Sequence, residues 1–220
     1  MSDEARRGSD VPADRDDDGS GAVPEGFVRL GTRTPVWDRF FQVAPLVVVG
    51  TREPNGSFDL APKHMVTALG WENHFAFVCT PAHGTYVNAL REGAFTVSYP
   101  RPSQVLSASL AAAPRCEGDT KPALTMLDTV PATTLDGVLL RDAYLHFECR
   151  TSRVVDDFGP NSLVTVRIVE ARVAVDSVRE ADRDDREILL NAPLLAYVAP
   201  GRYAEISETF AFPFHAGYTR

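Results

Sequence analysis

Two long stretches in the second half of this 220-residue chain do most to limit its fold. Residues 143–155 and 162–175 both alternate apolar with polar side chains and are rich in β-branched residues. Successive side chains of a strand point to opposite faces, so each run predicts a strand with one face in a core and the other toward solvent or a partner. Between them, Asp156-Asp157-Phe158-Gly159-Pro160-Asn161 is turn chemistry, and together the three segments predict a long antiparallel hairpin. Shorter apolar runs upstream predict strands over about 45–51, 57–61, 64–70, 74–80 and 94–99. The pair Asn55-Gly56 predicts a tight I′ hairpin turn, in which both central residues take positive φ. Helical segments are expected over 84–92, 103–113 and 182–190. Trp37, Phe40 and Phe41 have helical spacing and predict a short helix or turn packed into the core, within a body that starts near Phe27. Short strands with few helices point to a β-barrel with helical additions.

Charge is unevenly placed. Residues 1 to 25 carry eight acids and three arginines, so they hold -5 of the net -8 and leave a nearly neutral body without a basic block. Phosphate backbones are bound by basic faces, so nucleic acid is not an expected partner. The first 24 residues are rich in Asp, Gly, Ser, Pro and Arg and are expected to form a disordered acidic tail before a domain spanning 25–220. No apolar run approaches the roughly 20 residues that a membrane span needs, so no membrane association is expected. Met1 to Arg7 lack the apolar core of a signal peptide, which predicts a cytoplasmic protein. The cysteines, Cys79, Cys116 and Cys149, are odd in number and far apart, against a disulfide framework or a metal motif. Cys79 and Cys149 read as small buried hydrophobes. Motifs of dinucleotide-binding folds, P-loops, α/β-hydrolases and zinc proteases are absent.

Two loops have the composition of a ligand site. The first, Ala61-Pro62-Lys63-His64-Met65-Val66-Thr67, offers backbone groups, a hydroxyl and one of only two lysines, the other being Lys121, against twenty arginines. Lys63 is either a solvated strand-end charge or the cation of an anionic ligand. The second, Thr80-Pro81-Ala82-His83-Gly84-Thr85-Tyr86-Val87-Asn88, opens a helix, whose first amides lack partners and favour negative charge. Thr85 either caps that helix or hydrogen-bonds an anion there.

From about residue 36 to 204, this order of elements resembles the flavin reductase-like family, which binds FMN on a split β-barrel. The matching parts are the strand with its Asn-Gly turn, the loop Asp59-Leu60-Ala61-Pro62 (family type N-L-A-P), the loop His83-Gly84-Thr85-Tyr86-Val87-Asn88 (family type K-D-T-x-x-N) and the terminal Gly201-Arg202-Tyr203. The resemblance implies a mainly β (α+β) split barrel of the FMN-binding type with a few short helices. It implies a homodimer with FMN, or FAD, near the subunit interface. Ala61, Pro62, Lys63, His64, Met65, Thr67, Thr80, His83, Gly84, Thr85 and Asn88 would be the cofactor-binding residues. NAD(P)H would be the electron donor, and the acceptor would be oxygen, a partner oxygenase or a small-molecule redox substrate. Hydride transfer is cofactor chemistry, so no catalytic acid or base is assigned. The chain departs from the family at two places. His83 and Gly84 replace the Lys and Asp of the loop, which would make phosphate affinity depend on pH. The turn that carries Gly-Asp-His in many reductases reads Phe158-Gly159-Pro160-Asn161-Ser162 here. A flavin-binding electron carrier, a deazaflavin protein or a barrel for another small ligand are the alternatives.

Overall fold

The computed structural model describes residues 21–116 and 120–217. Residues 1–20 of the acidic tail lie outside them, and residues 21–24 are exposed without regular structure. Twelve strands and three α-helices follow: β1 (Gln42–Pro45), β2 (Val47–Arg52), β3 (Phe58–Lys63), β4 (Val66–Ala68), β5 (His74–Cys79), α1 (Gly84–Glu92), β6 (Ala94–Tyr99), α2 (Val105–Ala111), β7 (Thr129–Pro131), β8 (Val138–Leu140), β9 (Leu145–Phe158), β10 (Asn161–Val173), α3 (Asp185–Asn191), β11 (Leu194–Ala199) and β12 (Arg202–Ile206). The predicted hairpin is β9–β10, whose ladder is interrupted by three register shifts. Such bulges bend and twist a pair of strands, which lets a seven-stranded antiparallel sheet, ordered β3-β2-β6-β9-β10-β5-β4, curl into a half-barrel. A second sheet, β1-β11-β12, stands beside it, and β7–β8 form a small ribbon.

Strand β2 shows why the sheet closes where it does. Val47 and Val49 enter one core cluster with Phe75, Phe77, Phe95 and Val166, while Val48 enters another with Leu60, α2 Ala108 and Leu140. The period-two alternation of the strand therefore feeds two cores, the second covered by α2. Phe77 and Phe95 meet edge to face at 5.3 Å inside the first core. Cys79 and Cys149 are buried free thiols, as expected of small hydrophobes, and Cys116 is exposed.

Three local expectations are corrected. The Asn55-Gly56 turn is not type I′, because only Gly56 has positive φ, at +86°. Pro54 is fixed at negative φ. The chain instead turns through Glu53 to Gly56 with Gly56 N–H donating to Glu53 O at 3.0 Å, and Ser57 O accepts from Glu53 N–H at 2.8 Å. The expected 103–113 helix begins as a 3-10 turn over Pro102–Gln104, and α2 ends at Ala111. Pro114 lies three residues on and disfavours helical backbone at the residue before it. The aromatics of the entry segment are not core: Trp37, in a turn, and Phe41, just before β1, are 58% and 70% exposed. Regular secondary structure begins at Gln42.

Candidate functional site

A cleft of about 860 Å³ opens where the free end of the curled sheet faces the three-stranded sheet. Strand β1 gives it Val43, Ala44 and Pro45, and β4 with the residues before it gives His64, Met65, Val66 and Thr67. Ala76 and Val78 come from β5, Leu163 from β10, and Tyr197 and Ala199 from β11. Trp37 and Asp38 stand at one side, and the β9–β10 turn brings Phe158 and Asn161 to another. The walls are thus mostly apolar, with a few amide, hydroxyl and imidazole groups at fixed places, the usual build of a small-molecule site. The backbone holds the floor together, since Val78 N–H donates to Met65 O at 2.9 Å.

Lys63 links this cleft to the second predicted loop. Its ammonium acts on His64, Cys79 and His83. It forms no ion pair among the described residues. The other lysine, Lys121, is spent within the fold, 2.8 Å from Asp59 and bonded to the carbonyls of Leu60 and Ala111. Cys79 Sγ lies 3.9 Å from His83 Nδ1, and burial pushes that thiol's pKa up despite the nearby ammonium. Burial and then the charges of Lys63 and Lys121 hold the His83 imidazole below its ordinary pKa, so it is no cation at neutral pH. The pH-dependent phosphate contact expected of His83 is therefore confined to acid conditions.

At the start of α1 the cap is His83 without a side-chain bond, so Thr85 is not the cap. Thr85 is buried and its hydroxyl, like the amides of Gly84 and Thr85, has no hydrogen-bond partner among the described residues. Gly84 has a packing reason: a Cβ there would meet Arg115 Nη2 at 2.6 Å, where ion pairs to Glu53 and Asp59 hold the guanidinium. Asn88 is used internally. Its amide donates to Thr51 Oγ1 at 3.2 Å and its carbonyl accepts from Arg91 at 2.8 Å, tying α1 to β2.

Of the eleven predicted site residues, His64, Met65 and Thr67 line the cleft. His83, Gly84 and Thr85 form the head of α1, and the charge of Lys63 acts on His83 there. Thr80 closes the turn before α1 by accepting from His83 N–H. Ala61 is buried in β3 and Pro62 pairs with Val48 in the ladder, so both serve to aim the loop. The sequence reading missed Trp37, β1, Asn161 and Tyr197, which come from four separate stretches of chain and carry no shared motif.

A curled antiparallel half-barrel with a cleft at its free end defines a split-barrel protein. The sequence profile described as "Flavin reductase like domain" matches residues 42–207, and the chain belongs to that family. No curated protein matches it in sequence. Among solved structures, nitrilotriacetate monooxygenase component B from Bacillus cereus superposes with a TM-score of 0.73 at 17% identity, over 86% of this chain and 100% of that one. The FMN-binding protein from Thermus thermophilus with bound 1-cyclohex-2-enone gives 0.67 at 19% identity, over 86% and 99%. Flavoredoxin of Desulfovibrio vulgaris (Miyazaki F) gives 0.66 at 19% identity, over 90% and 100%. At these identities the likeness is one of fold.

Proposed function

We propose that this protein binds FMN, with the ring in the cleft and the phosphate at the head of α1, and passes electrons from NAD(P)H through it to an acceptor. The observation that carries the reading is the adjacency of an apolar cleft, an ammonium without an ion pair and a bare helix N-terminus. A flat tricyclic ring suits walls made of Val43, Pro45, Met65, Val78 and Leu163, and a dianion suits the Gly84 and Thr85 amides, the Thr85 hydroxyl and Lys63. FAD presents the same first phosphate and is the alternative cofactor. Bound flavin would supply two-electron chemistry, and the residues of the chain would bind, orient and shield it. Asn161 and Phe158 would wall the approach of the nicotinamide.

The large exposed apolar side chains at the cleft mouth, Trp37, Val43, Met65 and Phe158, favour cover by a second copy of the chain, and the proposed state is a homodimer. Among the described residues no helix is long and apolar enough to cross a membrane. A cytoplasmic setting remains part of the proposal. The likeness to a monooxygenase component B suits an oxygenase as electron acceptor, with oxygen or a small-molecule oxidant as the other choices. A second reading, an electron carrier without NAD(P)H turnover, is favoured by the absence of Asp-His from the β9–β10 turn. Absorption spectra between 300 and 550 nm test both. A shifted flavin band that NADH or NADPH bleaches supports the reductase. A shifted band that only a chemical reductant bleaches supports the carrier. No shift on adding FMN removes flavin from both.

A further inference from the structure

The ring of His64 lies on that of Tyr197, with centroids 4.5 Å apart and planes inclined by 34°. Tyr197 is itself fixed, since its hydroxyl accepts from Gly201 N–H at 2.9 Å. His64 is half-buried, lines the cleft, and neither ring nitrogen has a hydrogen-bond partner among the described residues. A neutral imidazole offers one donor and one acceptor, so this oriented ring keeps both available to a group bound in the cleft.

We infer that His64 is the residue that holds and exchanges the proton accompanying reduction of a ring bound in this cleft. This rests on the flavin reading above. The groups facing it are Lys63 beside it, Tyr197 beneath it and Asp38 across the cleft, while Gln42, Thr67 and Asn161 are uncharged. Burial, then the ammonium of Lys63, holds its pKa below the ordinary value, so the resting imidazole is neutral. A neutral imidazole can donate one hydrogen bond and accept another. A hydride from the reduced nicotinamide would bring two electrons and one proton to the neighbouring ring and leave it one net negative charge, and an unpaired nitrogen of His64 would take one proton from solvent to offset that charge. When the acceptor takes the two electrons, the hydride's proton leaves the ring and His64 returns its own proton to solvent or to the acceptor, so two electrons and two protons leave the site and its charge is restored. Lys63 cannot take this part, because it is already charged.

The test is an NMR titration of the imidazole resonances in the full chain, with His64 assigned by loss of its signal in His64→Gln. It is run without ligand, with FMN, and with FMN reduced by dithionite, while flavin absorbance reports binding. Expected are a perturbed His64 signal on FMN addition and a tenfold or greater gain in its proton affinity on reduction. His64→Phe, which keeps a ring on Tyr197, should bind FMN yet lose the matching pH dependence of the flavin midpoint potential. If FMN binds but the His64 titration is the same oxidised and reduced, or if His64→Phe keeps the wild-type pH dependence, the inference fails and the flavin reading stands. If the wild-type chain binds no FMN, both fail.

Discussion

Glu148 is fully buried and still ionised. Burial pushes its carboxyl pKa up, but hydrogen bonds from the hydroxyls and amides of Thr134 and Thr133 outweigh that and bring it from the ordinary 4.5 to about 2. Leu135 N–H and Arg172, at 3.1 and 2.9 Å, complete the shell. Because the folded pKa is depressed, this stabilisation is complete above the unfolded value and is lost as pH falls from about 4.5 toward 2. Its size is on the order of 3 kcal/mol. Denaturant titrations should therefore show wild type weakening over that window and Glu148→Gln starting lower and falling less steeply, since Asp176 and Asp185, also held low by arginines, still titrate; parallel curves would contradict the assignment. Lys63 lives at the same scale. Lys63→Met removes a charge without an ion pair, so it should weaken FMN binding by about 1–3 kcal/mol with little change in melting temperature. Unchanged FMN affinity in a calorimetric titration would make Lys63 a bystander.

At the level of elements, close backbone approach decides what β2 tolerates. A Cβ at Gly50 would meet Val138 O at 2.6 Å and collide with Thr96 Oγ1. Gly50→Ala should cost about 1–3 kcal/mol in thermal unfolding, since a carbonyl cannot swing aside as a side chain can. A neutral result would mean that the β7–β8 ribbon moves freely. The elements that the sequence made legible are those whose pattern is local. Helix α1 ends at Gly93 in the left-handed region, and burial alternates along the 13 residues of β10, whereas the outer half of β9 is mostly exposed and Val154-Val155-Asp156-Asp157 breaks its period. Strands β7 and β8 were not legible because three residues cannot display a period, and Pro131 disguises one of them. The head of α1 was legible from its Gly-Thr start. Tyr197 as the seat of His64 was not, because ring stacking across 133 positions leaves no trace in either loop.

For the whole molecule, the two sheets matter less than the gap between them. Exposed Trp37, Val43, Met65 and Phe158 stand around the cleft, and no other segment of described structure covers them. Sedimentation velocity should give a dimer near twice the 24.0 kDa of the chain. A charge placed by Val43→Asp at that rim should shift it toward monomer. A monomeric wild type at micromolar concentration would contradict the shared rim. The most direct measurement is a calorimetric comparison of FMN with riboflavin, which carries the same ring without the phosphate. Binding of FMN at least tenfold tighter than riboflavin, with the difference abolished in Lys63→Met, is the expected result. Equal affinity for the two, or no heat from either, would contradict a phosphate at the head of α1 and a flavin ring in the cleft.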